Sequence, residues 1–156
     1  NPIECEECLN PDILRMDLTY LAILSVFQYM IGNTDWSILM NRNVKLLSEK
    51  KSGNLFSVPY DFDFSGWVNA PYALPNKDLA QKKVTDRVYI GLKLNEELEL
   101  QVRERFLDRK KELYDQVRHF KKLDSKSRKE LIGYLDSFYA NLDNIDMRFA
   151  NRALAW

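Results

Sequence analysis

"YMIGNTDWSILMNRNVKLL", residues 29–47, changes character twice. Its first residues end a stretch without charge, Leu18 to Thr34, that is apolar nearly all round. A helix of that composition must be covered by neighbours on several sides, which makes it the core element. Thr19, Ser25, Gln28 and Asn33 interrupt it, and it is shorter than the roughly 20 apolar residues of a membrane span. Upstream, Asn10, Pro11 and Asp12 supply a cap, a proline for the first helical position and an acid for the first turn. The sequence therefore predicts a helix from Pro11 to Ile31, stopped by Gly32. Asn33 to Arg42 then reads as a loop, and "NVKLL" as a strand entered from Asn43.

A second short run, "LFSVPYDFDF", follows after "SEKKSGN". Ser52, Gly53 and Asn54 carry turn chemistry, so the two runs are expected to pair as an antiparallel hairpin. Within the second run, "VPYDFDFSG", residues 58–66, sets Asp61 and Asp63 among aromatic and apolar residues. Such a run is expected to be buried, where a carboxylate is costly unless a cation or hydrogen-bond donor meets it. Residues 65–92 form a long irregular segment, in which Arg87, Tyr89 and Gly91 are expected to order the chain behind the site. An ion pair between Arg87 and a site carboxylate is a further possibility.

The remainder is helical. Asn95 caps a helix with Glu96 and Glu97 in its first turn and a stripe of Leu98, Val102, Phe106, Leu113 and Val117. Ser127 and Glu130 form a capping box for the next helix, with Leu131, Leu135, Phe138, Tyr139 and Leu142 as its stripe. A short last helix carries Ile145, Phe149 and Trp156. The fold class is α+β, mostly α, in a single domain over 1–156.

The chain has 156 residues, 46% hydrophobic and 29% charged, which places it among globular domains. Its formal net charge of zero argues against a nucleic-acid or membrane surface as the main partner. Cys5 and Cys8 form a lone C-x-x-C, and His119 is the only histidine, so a structural zinc site lacks ligands. The pair reads as ordinary thiols or a local disulfide, and leaves the compartment open. The first residue is Asn1 rather than methionine, so the chain is expected to be a processed product or a piece of a longer protein.

Asp35, Asn41, Asn43, Asp61 and Asp63 all fall at loop or strand ends. Residues two apart on a strand share a face, so Asp61 and Asp63 are expected to project together. Like charges held close favour a shared cation, and all-oxygen ligands suit magnesium, calcium or manganese.

These stretches, "YMIGNTDWSILMNRNVKLL" and "FSVPYDFDFSG", resemble the catalytic half, or C-lobe, of the atypical protein-kinase-like fold. HipA-type and spore-coat CotH-type kinases are the nearest in pattern, and phosphatidylinositol kinases stand further off. In those families a helix leads into a loop N-x-D-x-H-x-x-N, then a hairpin, then a metal-binding aspartate. The resemblance covers about residues 18–66 and implies a buried helix, a β-hairpin carrying the site, and a C-terminal helical bundle. It implies Asp35 as the catalytic aspartate, which orients or deprotonates the acceptor hydroxyl. It implies Asp61 as the ligand of the magnesium that bridges ATP phosphates, with Asp63 resembling the second acid of the CotH-type D-x-D.

The families place their second metal ligand, an asparagine, five residues after the catalytic aspartate, where this chain has Met40. Asn43 takes that role better, with Asn41 the alternative. Ser37 stands where the families usually carry histidine. The nucleotide-covering loop and the lysine of an N-lobe have no counterpart in this chain, so the resemblance implies a C-lobe fragment, inactive by itself. Two rival readings stand beside this one. The first is a degenerate, non-catalytic kinase-like binding module. The second is a glycosyltransferase using Asp61-Phe62-Asp63 as a D-x-D, which would need an α/β nucleotide-binding sheet. The acceptor is not legible in the sequence.

Overall fold

Helix α1, Leu18–Ile31, is the element against which the others are laid. The computed structural model describes residues 3–5, 11–12 and 15–147. The expected start at Pro11 is corrected: Asp17 is the cap, its side chain accepting the Tyr20 N–H at 2.8 Å. Asn10 lies outside the described residues. Met16, inside the expected helix, is instead held in a parallel bridge to Leu55. Tertiary pairing with a distant strand has overridden a local helix signal. At the other end Gly32 stops α1 as expected, at φ 65°. The N–H groups of Gly32 and Asn33 close the last turn on Tyr29 and Gln28 carbonyls at 3.0 and 2.9 Å.

The hairpin is present. Strands β2, Val44–Ser48, and β3, Leu55–Pro59, pair antiparallel with Val44 opposite Pro59 and Ser48 opposite Leu55. A two-residue strand β1, Ile3–Glu4, joins the free edge of β2, so the sheet order is β1-β2-β3. Val44, Leu46, Leu55 and Ser57 point inward, and Lys45 and Val58 outward. The strand expected to continue through Phe64 ends at Pro59. Proline has no N–H for a ladder, and Asp61 then takes a left-handed backbone at φ 54°, which turns the chain out of the sheet.

Residues 65–92 are irregular, apart from one 3₁₀ turn at Lys77–Leu79. Buried Gln81 holds the segment together by accepting the Asn76 N–H and donating to the Val84 and Asp86 carbonyls. Helix α2, Glu96–His119, starts on the Asn95 cap as expected. Helix α3 runs Ser125–Ala140, and its cap is Asp124 rather than Ser127. The Asp124 carboxylate takes the N–H groups of Lys126 and Ser127 as well as the Ser127 hydroxyl. After α3 comes a 3₁₀ turn, Leu142–Asn144, with Ile145 extended after it, and most of the expected last helix falls outside the described residues. Phe149 and Trp156 lie outside the described residues.

Two adjoining apolar clusters result. One lies among α1, α2 and α3, with Val26, Met30, Val102, Phe106, Leu135 and Phe138 at its centre. The other lies between α1 and the sheet, with Leu21, Leu24, Trp36, Val44, Leu46 and Leu55. Phe27 and Leu92 pack against both. The class is α+β and mostly helical. Among the described residues no helix is long and apolar enough to cross a membrane. Cys5 is disulfide-bonded; Cys8, the only other cysteine of the chain, lies outside the described residues.

Candidate functional site

The loop after α1 is built from its buried end outward. Gln28 and Asn33 are both buried, and the Asn33 amide donates to Gln28 Oε1 at 3.0 Å. Asn33 Oδ1 then accepts the Asp35 N–H at 3.0 Å, an Asx turn that fixes the backbone of Asp35. Trp36 and Ile38 anchor the loop in the core, at 3% and 4% exposure. Ser37 and Arg42 close it by exchanging two backbone hydrogen bonds of 2.9 Å. Asp35 is left half-buried on the outer side.

Asn43 completes this arrangement from the entry of β2. Its backbone is left-handed, at φ 51°, a conformation asparagine tolerates better than most residues. Its Nδ2 donates to the Asp35 carbonyl at 2.7 Å and to Asp35 Oδ2 at 2.9 Å. With the amide nitrogen used on Asp35, Oδ1 is the Asn43 atom left to act as a ligand. Asn41 sits one turn earlier at φ 48°, its backbone N–H on the Ile38 carbonyl. Asn43 donates its side-chain amide to the Asp35 carboxylate, whereas Asn33 accepts from the Asp35 backbone. Arg42 adds a loose, exposed ion pair to Asp35 at 3.7 Å, a contact worth little in water.

The Tyr60 N–H, on the Asn43 carbonyl at 3.0 Å, carries the β3 side of the hairpin to the same place. The expectation that "VPYDFDFSG" is buried is corrected: Asp61 is exposed and Asp63 half-buried. Nor do the two carboxylates share a strand face, because both lie beyond β3. They meet through the turn at Asp61. A side-chain hydrogen bond that protonated Asp61 donates to Asp63, then the Asp63 charge, hold the Asp61 carboxyl above the usual carboxylate range, with a smaller push from Asp35. Asp61 thus lies within the field of both Asp63 and Asp35. Tyr72 closes the group by donating its hydroxyl to Asp63 Oδ2 at 3.0 Å.

Three partners escaped the sequence reading. Asn33 orients Asp35, Arg42 pairs with it, and Tyr72 reaches Asp63 from the long irregular segment. For Asn33 the spacing Asn-x-Asp was a usable signal; for Tyr72 no local pattern exists. Trp36 is buried in the core, whereas Trp67 is half-buried against Tyr134, with centroids 6.3 Å apart. Arg87 does not pair with a site carboxylate. Its guanidinium donates to the Met30 and Tyr134 carbonyls and to Ser137 Oγ, and lies 3.7 Å over the Tyr134 ring. It ties the end of α1 to α3.

Among the described residues no three His, Cys, Asp or Glu side chains gather closely enough to cage a metal ion. An ion held entirely by protein, as in many calcium sites, does not suit this donor set. Magnesium does, because it is ordinarily held by one or two carboxylates while water and substrate phosphates complete its shell. The Asp61–Asp63 pair and Asn43 Oδ1 are oxygen donors of that kind. Comparisons of the chain with protein-family models, with curated proteins and with solved structures return no match.

Proposed function

We propose that this chain is the catalytic half of a kinase-like phosphotransferase that moves a phosphoryl group from a magnesium nucleotide to an acceptor hydroxyl. The observation that carries the reading is the pair of hydrogen bonds from Asn43 Nδ2 to Asp35, at 2.7 and 2.9 Å. They hold Asp35 as the base while turning the remaining oxygen of Asn43 over to metal binding. Asp35 takes the proton of the acceptor hydroxyl as that oxygen attacks the γ-phosphorus, and the nucleoside diphosphate leaves. Asp61, Asp63 and Asn43 would hold magnesium, which supplies charge neutralisation at the nucleotide phosphates. The repulsion within Asp61–Asp63 is the reason such an ion is favoured there. An N-lobe would supply the remaining phosphate contacts, so this chain alone is expected to bind nucleotide weakly and to transfer nothing.

The D-x-D glycosyltransferase reading loses ground, because the sheet is a small one whose described strands all pair antiparallel, with no parallel strand-helix-strand unit among the described residues. The test is thermal unfolding with magnesium or manganese and ATP. The wild-type chain is expected to gain stability from the ion, and Asp61→Asn to lose that gain. A wild-type chain indifferent to both ions would end the metal-nucleotide reading. In a longer protein that includes an N-lobe, Asp35→Asn should abolish transfer of label from γ-labelled ATP while nucleotide binding persists. Retained binding without transfer in the unaltered longer protein would instead mark a non-catalytic module.

A further inference from the structure

We propose that the cleft between residues 66–69 and α3 binds a neutral polyhydroxylated ring, a sugar or cyclitol. The cleft has a volume of about 620 Å3, within the range of roughly 300–1,000 Å3 usual for small-molecule sites. Trp67 and Tyr134 form an aromatic wall, their rings packed edge to face. Arg87 covers one face of the Tyr134 ring, so the apolar C–H face of a sugar ring would lie mainly against Trp67. Asn69, Thr85 and Glu130 bring an amide, a hydroxyl and a carboxylate to the same space, and Ser127, its proton given to Asp124, adds an acceptor. Together they offer both donors and acceptors, the complement of a ring bearing several hydroxyls.

Charge narrows the ligand further. None of the residues lining the cleft is basic, so nothing there would pair with a phosphate or carboxylate. Lys126 lies 3.9 Å from Glu130, but that pair is largely exposed and leaves the carboxylate available. The nucleotide therefore belongs elsewhere, at the acidic group, and the cleft belongs to a neutral molecule.

Placement connects the two. Gly66 is three residues beyond Asp63, so their Cα atoms are at most about 11 Å apart. The Gly66 N–H also bonds the Gly32 carbonyl at 3.1 Å, three residues before Asp35. A ring seated in the cleft is within a small molecule's length of the carboxylates. Its role as phosphoryl acceptor rests on the reading above; its binding does not.

Saturation-transfer NMR on this chain, with myo-inositol and methyl glucoside as probes and no nucleotide or divalent ion, tests the binding. The expected result is transfer to one or both polyols, with affinity lowered about three- to tenfold by Asn69→Gly, which keeps the left-handed backbone at φ 48°, and by Glu130→Gln. Both positions are exposed, so the variants are expected to fold. Absence of transfer to either polyol overturns the proposal. So does transfer that both substitutions leave unchanged, or preferential transfer to a serine-containing tripeptide. Because no ion or nucleotide is present, a failed magnesium response in the unfolding test leaves this outcome standing.

Discussion

The helical half and the hairpin half treat charge and backbone in opposite ways. Among the helices, Arg87 is the clearest example: three hydrogen bonds and an aromatic face absorb one guanidinium. Around the hairpin, Asp61 and Asp63 are left against each other, and Asp35 adds to the repulsion. The backbone divides the same way. All the described non-glycine residues with left-handed φ, namely Asn41, Asn43, Asp61, Asn69 and Ala80, fall between α1 and α2, and none lies within α1, α2 or α3. Strained backbone and unbalanced charge persist only where the surroundings impose them, and such places are the first to examine for function.

The comparison breaks most visibly if the helical half is not the stable one. Phe138, at 1% exposure, packs on Phe106 and Tyr139 with centroids 5.6 and 5.0 Å away. Phe138→Ala is expected to cost about 3–5 kcal/mol in equilibrium denaturation. Leu24→Ala, in the cluster under the sheet, should cost about 2–5 kcal/mol, which makes α1 the shared foundation of both halves. A loss below about 0.5 kcal/mol, the range of surface changes, would place α1 outside the core.

Arg87→Met sharpens the same contrast. It removes every polar contact of the guanidinium and takes the arginine donor from the Met30 carbonyl, while the Tyr134 carbonyl keeps the Ser137 hydroxyl, for an expected loss of about 2–3 kcal/mol by urea denaturation. Asn43→Ala is expected to cost about 1–3 kcal/mol, since it loses the bonds to Asp35 and leaves alanine at φ 51°. A neutral result there would mean that the Asp35–Asn43 contact does not order the loop.

The smallest expected effect is the most diagnostic. Asp61 has its carboxyl raised by Asp63 first, so its folded form favours the proton. Its contribution to stability is then complete below the ordinary carboxylate range and is lost as pH rises through the raised value. At neutral pH, Asp61→Asn should leave the metal-free chain as stable as before or slightly more so. It should also flatten this part of the pH profile, as read by thermal unfolding from acid to neutral pH. Destabilisation at neutral pH would mean that the carboxylate is satisfied by structure rather than held for an ion.

Much of the scaffold was legible because its signals are local. Gly32 ends a helix by its own freedom at φ 65°, and Ser52-Gly53-Asn54 turns a hairpin through turn chemistry alone. The misread boundaries share one cause. Met16 leaves the helix for Leu55, far along the chain, and Pro59 with left-handed Asp61 ends a strand that hydrophobic alternation would have continued. The site was legible as residue types, since two carboxylates two apart stand out in an aromatic run. The reason they meet was not legible. Alternation on a strand was the expectation, and a turn does the work, aided by a tyrosine from an irregular segment.

Gly32 and Gly66 touch through their backbones, and the Tyr134 hydroxyl rests where a β-carbon on either would sit. At Gly66 such an atom would also lie 2.8 Å from the Thr85 Cα and 2.9 Å from the Val84 carbonyl oxygen, neither of which can swing aside. The site loop, the long irregular segment and α3 therefore share one point with no spare room. Sequence drift is consequently constrained there in a way that burial alone would not reveal. A saturation library should return glycine almost exclusively at these two positions, while exposed Gly133, with nothing near its missing β-carbon, should accept nearly any residue that favours a helix.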